Sequence, residues 1–150
     1  MRRLAPVIVI LFFVLTAATL WPQAEKERGN DPASFIGLTL AELIRVFGVP
    51  NSVFAVRGLE EWQDDVVFAY DESDFCVYRD RVWQVGLREA RGVKLGDSKG
   101  VVSLVLGPGA QTGGDSVFYP LYEASWPMML RCDFDEAGRV KAIFIYRTDL

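Results

Sequence analysis

From Gly37 the chain reads GLTLAELIRVFGVP, and from Gly96, 59 residues later, it reads GDSKGVVSLVLGPG. Gly37 matches Gly96, Thr39 matches Ser98, Val46 matches Val105 and Gly48 matches Gly107. Further along, Cys76 falls opposite Cys132 and Val82 opposite Val140, at offsets of 56 and 58. The offset drifts as it does when loops differ in length. Six matches in order, with matching element types, point to a degenerate tandem repeat. Its bounds are 35–91 for the first unit and 92–150 for the second, after a leader at 1–24 and a linker at 25–34.

The first unit opens with a well-signalled helix. Thr39 and Glu42 have the spacing of a capping box, and Leu38 and Leu43 that of a hydrophobic staple. Leu40, Leu43, Ile44 and Phe47 form one apolar stripe, after which Gly48 caps the helix and Pro50 stops it. The second copy is more ambiguous. Val101, Val102 and Val105 favour a strand and Gly100 weakens a helix. The Ser98 cap and the closing Gly107-Pro108 tip the balance to helix.

Strand signals follow each helix. The first unit offers Val53–Val56, Val66–Tyr70, Phe75–Tyr78 and Val82–Leu87, and the second offers Val117–Tyr122, Trp126–Phe134 and Val140–Tyr146. Arg79-Asp80 and Asp135-Glu136-Ala137-Gly138 read as the hairpin turns before the last strand of each unit. Pro120 and Pro127 push their strands toward an edge or a bulge. The expected fold is α+β: two helix-plus-antiparallel-meander repeats, with the helices packed on one face of a sheet.

Composition narrows the chemistry. The 150 residues include no histidine, which removes His-based triads, acid–base pairs and His-ligated metal sites. The net charge is −4, and two units more negative once Arg2 and Arg3 are set aside, which argues against a nucleic-acid partner. Those two arginines precede an uncharged run from Leu4 to Trp21, the order of a secretory signal. Thr16-Ala17-Ala18 supplies small residues for cleavage after Ala18. The other reading is an uncleaved anchor: about 18 residues span roughly 27 Å, just short of a ~30 Å hydrocarbon core. Both readings export the remainder, to the periplasm or beyond, with membrane contact only through residues 1–21 if the segment is retained.

The pattern Gly-x-Thr-Leu-x-Glu-Leu…Phe-Gly-x-Pro, followed by strands ending in Tyr-Arg-Asp-Arg-Val-Trp, resembles the small outer-membrane assembly lipoproteins of the SmpA/BamE type. In duplicate it also resembles the β-lactamase inhibitor proteins, which carry two such units. The resemblance covers about residues 36–146. It implies an exported, non-enzymatic protein that works by binding other proteins. Two departures stand out: there is no lipobox cysteine, and the second helix lacks Thr-x-x-Glu.

Other constellations have ordinary explanations. Glu60, Glu61, Asp64 and Asp65, with Asp71, Glu72 and Asp74, lie in turn-rich sequence where charge solvates a loop. Asp133–Gly138 echoes the start of a calcium loop but reads better as a hairpin turn. Gly107-Pro108-Gly109 and Gly113-Gly114 follow a helix instead of preceding one, so they are not phosphate cradles. Ser52, Ser103 and Ser125 have no histidine to activate them. No metal or other cofactor is expected.

Cys76 and Cys132 are the only cysteines. In an exported protein they are candidates for a disulfide, with two buried free thiols as the preferred alternative. If Arg79-Asp80 is a two-residue turn, Cys76 pairs with Trp83, and Cys76, Tyr78, Trp83, Val85 and Leu87 share a face. Leu130, Cys132, Phe134, Ile143 and Ile145 group likewise, and this apolar set is assigned to the helix-covered core. The opposite face then holds Phe75, Val77 and Gln84 from one unit and Arg131, Asp133, Phe144 and Tyr146 from the other. Phe75, Gln84, Arg131, Phe144 and Tyr146 are the candidate anchors for a protein partner. Ordinary scattered surface aromatics are the simpler alternative. The expected function is an exported cell-envelope binding or assembly module. An inhibitor of a secreted enzyme, or a small hydrolase using the acidic loops, stands as an alternative.

Overall fold

The computed structural model describes residues 31–57, 65–109, 111–122 and 126–150. The leader and most of the linker, together with Glu60, Glu61, Asp64 and Ser125, lie outside the described residues. After a short 3-10 turn at Pro32–Phe35, helix α1 (Leu40–Phe47) leads into strands β1 (Ser52–Val56), β2 (Asp65–Ala69), β3 (Ser73–Tyr78) and β4 (Arg81–Leu87). A small hairpin, β5 (Glu89–Ala90) and β6 (Val93–Lys94), links these to helix α2 (Lys99–Leu106). Strands β7 (Gln111–Gly113), β8 (Ser116–Leu121), β9 (Met128–Phe134) and β10 (Val140–Arg147) follow. The fold is α+β and dominated by antiparallel sheet.

Helix α1 forms where its caps require. The Thr39 hydroxyl accepts from Glu42 N at 3.2 Å, and the Glu42 carboxylate accepts from Thr39 N at 2.9 Å, completing the capping box. These bonds to Thr39 hold the Glu42 carboxyl below its ordinary range. Helix α2 has the simpler Ser98 cap, whose Oγ accepts from Val101 N at 3.4 Å. Its valines reach helical geometry despite their strand preference, because Val102 is seated in the core.

Eight strands form one sheet in the order β1-β2-β3-β4-β10-β9-β8-β7, so two meanders meet where β4 pairs antiparallel with β10. The hydrogen bonds that seat each helix against its meander recur. Gly37 N donates to Val82 O and Gly96 N to Val140 O, both at 2.8 Å. The Arg81 guanidinium donates to Gly37 O at 2.8 Å and that of Arg139 to Gly96 O at 2.9 Å. Tyr70 and Tyr119 donate their hydroxyls to Gly48 O and Gly107 O, carbonyls at the ends of α1 and α2. Gly37 and Gly96 sit at φ +89° and +88°, a conformation that glycine alone takes without strain.

One core contains Leu43 of α1 and Val102 of α2 together with Phe75, Val82, Val85, Leu130, Cys132, Ile143 and Ile145 of the sheet. Both helices therefore bury their inner side against the same sheet face. Around Phe75 the packing is aromatic: Phe35, Phe47 and Tyr70 have ring centroids 5.9, 4.8 and 5.6 Å away.

The register of the first hairpin corrects the expected face assignment. Arg79 and Asp80 do form a two-residue turn, both with positive φ as a type I′ turn needs. Tyr78 pairs with Arg81 and Val77 with Val82, but a bulge then places Gln84, not Trp83, opposite Cys76. Beyond the bulge Phe75 pairs with Val85 on the helix side, and Cys76 turns outward. Phe75, expected as an exposed partner-binding residue, is instead 0% exposed and in the core. In the second half Cys132 pairs with Ile143 and Leu130 with Ile145, as expected from the apolar grouping.

The hairpin β5–β6 and strand β7 depart from the sequence pattern, while the position of Pro120 follows it. The hairpin β5–β6 carries Ala90 and Val93 into the core. Strand β7 was not anticipated from its Gln-Thr-Gly sequence. Pro120 lies inside β8, and among the described residues β7 pairs with Ser116–Phe118 of that strand, so the missing N–H falls beyond the β7 pairing, opposite Met129 of β9.

Candidate functional site

Strand alternation places Gln84, Arg131, Phe144 and Tyr146 on the sheet face away from the helices, around the β4–β10 junction. Tyr146 stands opposite Gln84 on one side and Met129 on the other, while Phe144 stands between Gly86 and Arg131. The Arg131 guanidinium lies 4.6 Å from the Phe144 ring centroid and 6.0 Å from that of Tyr146, in cation–π range of both. All four candidate residues are partly exposed. Phe118 and Met129 extend the same face on β8 and β9.

Two features fix this cluster. Gly86 has no side chain, and the space its Cβ would take lies 3.5 Å from Phe144 Cε1, so the ring rests against the neighbouring backbone. Arg131 Nε comes within 3.1 Å of Asp133 Oδ1, which also accepts from the Ser116 hydroxyl at 2.6 Å. That ion contact holds the guanidinium, but its angle is too poor for a hydrogen bond, and Nε is buried without an acceptor. The cation is therefore pinned on two aromatic rings and incompletely satisfied by the protein itself.

The first half of this face is more closed. The bulge projects Trp83 outward, and its indole N–H donates to Asp65 Oδ1 at 2.9 Å. Trp83 is on β4 and Asp65 on β2, so the indole reaches across β3. Val67 and Cys76 share this face and are nonetheless buried, and Gln84 Nε2 donates to Cys76 Sγ at 3.6 Å. Sequence reasoning missed Trp83, Met129 and Phe118 as members of the face. Only the bulge and the β8–β9 register reveal them.

No disulfide joins the cysteines. Cys76 and Cys132 are free, on opposite faces of the sheet, and β3 and β9 are separated by β4 and β10. Three strand spacings are about 14 Å, twice the Cα separation that a disulfide spans. Burial raises both thiols to about 11, with Asp65 and Asp133 adding repulsion to Cys76 and Cys132 respectively. At neutral pH only about one thiol in ten thousand would then be thiolate. Both should react slowly with a disulfide reagent in the native protein and rapidly after unfolding; one fast native thiol would contradict the packing. The pH dependence follows from the same shift. The unfolded chain loses these protons near its ordinary value of 9, before the folded protein does. Stability is therefore intact below pH 9 and falls as pH rises through 11. Urea midpoints measured from about pH 8 upward check this.

The remaining acidic candidates among the described residues make surface and turn contacts. Asp71 accepts from Asn51 Nδ2 at 2.7 Å, and Glu72 lies 3.8 Å from Arg88 at the exposed surface. Asp135 Oδ1 accepts from the backbone N–H groups of Ala137 and Arg139, the bonding of a turn. Among the described residues no group of three metal-ligating side chains occurs. Among those residues, too, no helix is long and apolar enough to cross a membrane.

No family model and no curated protein matches the chain. Two solved structures share its fold. One is an extracellular protein containing an SCP domain from Bacillus anthracis str. Ames. It has a TM-score of 0.53 and 10% identity, over 79% of this chain and 46% of that one. The other is a DUF4309 family protein (YjgB) from Bacillus subtilis subsp. subtilis str. 168. It has a TM-score of 0.51 and 16% identity, over 73% of this chain and 78% of that one. The chain thus spans about half the length of the first. At such identities the likeness is one of fold. Neither description names a catalytic activity.

Proposed function

We propose that this chain is an exported, non-enzymatic cell-envelope protein that binds another protein through the sheet face opposite its helices. The observation that carries this reading is the Arg131–Phe144–Tyr146 cluster at the β4–β10 junction. Arg and aromatic side chains, held rigidly and partly exposed at the centre of a sheet, are the residue types that dominate binding hot spots. The guanidinium has unused donors for a partner's carboxylate or carbonyl, and the rings offer apolar area at low entropic cost.

The same proposal takes the body as two copies of one helix-plus-meander unit. The paired hydrogen bonds of Gly37 and Gly96, Arg81 and Arg139, and Tyr70 and Tyr119 support it. Joining such copies through their last strands places one face of each in a single wide surface. Export rests on the Arg2-Arg3 and Leu4–Trp21 pattern. One structural neighbour, described as extracellular, points the same way. The resemblance to SmpA/BamE-type lipoproteins and β-lactamase inhibitor proteins also favours protein binding over catalysis.

Crosslinking in the native cell, followed by affinity capture and mass spectrometry, identifies the partner. The double variant Phe144→Ala, Tyr146→Ala should then lose capture at least tenfold, about 1.4 kcal/mol or more. Unchanged capture by a folded double variant would remove the proposed face.

A further inference from the structure

The space beneath the C-terminal end of each helix is filled differently. Tyr70 and Tyr119 hold equivalent places, each donating its hydroxyl to the carbonyl of the glycine that ends its helix, at 3.0 and 3.2 Å. Phe47 and Leu106 are equivalent too, each the last helical residue before that glycine. In the sheet, Phe68 pairs with Phe75 and Phe75 with Val85, while Val117 pairs with Cys132 and Cys132 with Ile143. Phe47, Phe68 and Phe75 are therefore matched by Leu106, Val117 and Cys132. Under α1 the rings close the space, with Phe47 5.5 Å from Tyr70 and 4.8 Å from Phe75 between centroids. Under α2 the smaller side chains leave a cleft of about 380 Å³ beside Tyr119, lined by Leu106, Pro108, Leu121 and Leu130, with Arg91 at its margin.

We propose that this cleft binds a small molecule carrying an aromatic ring and a carboxylate, with the ring against Tyr119 as the Phe47 ring lies against Tyr70. The proposal rests on the reading of the body as two copies, because the first copy shows what that space accepts. A cleft of this size with apolar walls and one charged group has the make-up of a small-ligand site. Burial of a ring against leucine, proline and tyrosine supplies the affinity. Arg91 is the charged residue among the lining side chains, exposed on the turn between β5 and β6. Its guanidinium favours an anionic group at that end of the ligand, and a carboxylate matches it. Tyr119 and Leu130 belong to the core on the helix side of the sheet, so a partner on the opposite face would leave the cleft open.

Titration of the full chain with phenylacetate, followed through the NMR shifts of its leucine methyl groups, tests the proposal. The expected result is saturable shifts at Leu106 and Leu130. Leu106→Phe, which supplies the ring of the first unit, should raise the urea midpoint and weaken phenylacetate about tenfold or more. Arg91→Gln, at an exposed site, should weaken phenylacetate about threefold and leave the uncharged phenylacetamide unchanged. Absence of saturable binding overturns the proposal, as does binding that Leu106→Phe leaves intact. Equal effects of Arg91→Gln on the acid and the amide overturn the carboxylate assignment. A Leu106→Phe protein less stable than the native chain overturns the proposal through the equivalence of the two units. A more stable one, with no binding by the native chain, overturns the site and leaves that equivalence standing.

Discussion

Phe75→Ala should destabilise the protein by about 3–5 kcal/mol, the largest single effect expected here. The side chain is 0% exposed and sits beneath α1, where Phe35, Phe47 and Tyr70 surround it. Truncation removes the transfer energy of a whole ring and leaves a cavity whose walls are other rings, which collapse poorly. Each aromatic contact adds about 0.5–1.5 kcal/mol beyond buried area. Against a typical domain stability of about 5–15 kcal/mol, the variant keeps little margin. Urea unfolding followed by tryptophan fluorescence measures the loss. A change below about 1 kcal/mol is the value for a surface site, and would return Phe75 to the open face.

Leu43→Ala comes next, at about 2–5 kcal/mol. Leu43 is the only fully buried side chain of α1, and a helix of eight residues does not hold itself in water. Removing this anchor loosens α1 from the sheet and uncovers the aromatic cluster below it. Leu104→Ala on α2 is the control, because Leu104 is 85% exposed and should change stability by no more than about 0.5 kcal/mol. Equal losses at the two positions would mean that α1 is not held by this contact.

Much of the fold was legible because it is encoded locally. The Thr39–Glu42 box, the Gly48 cap and the Leu43 stripe each lie within one helical turn or two, and α1 has those limits. The strand segments carry β-branched and aromatic residues, and seven of them appear within a few residues of where the pattern put them. Strand β7 escaped because a Gln-Thr-Gly strand has no such signal and exists only through its pairing with β8.

The candidate face was legible in part, and its error has one cause. Period-two alternation propagates from a turn only while the ladder is regular. One inserted residue at Trp83 reversed the faces of Phe75 and Cys76 while leaving Gln84 outward. The apolar grouping of the second half succeeded because Leu130, Cys132, Phe134, Ile143 and Ile145 mark a buried face by composition alone.

By itself, then, the sequence determined the element types, the turns, the α+β class and the exclusion of histidine chemistry, all properties of residue identity and near neighbours. The tertiary structure alone decided which strand ends meet, which face each cysteine occupies and which aromatics stay exposed on the sheet face away from the helices. Pairing of β4 with β10, a separation of some sixty residues, leaves no local trace, because long-range register is set by packing summed over the whole sheet.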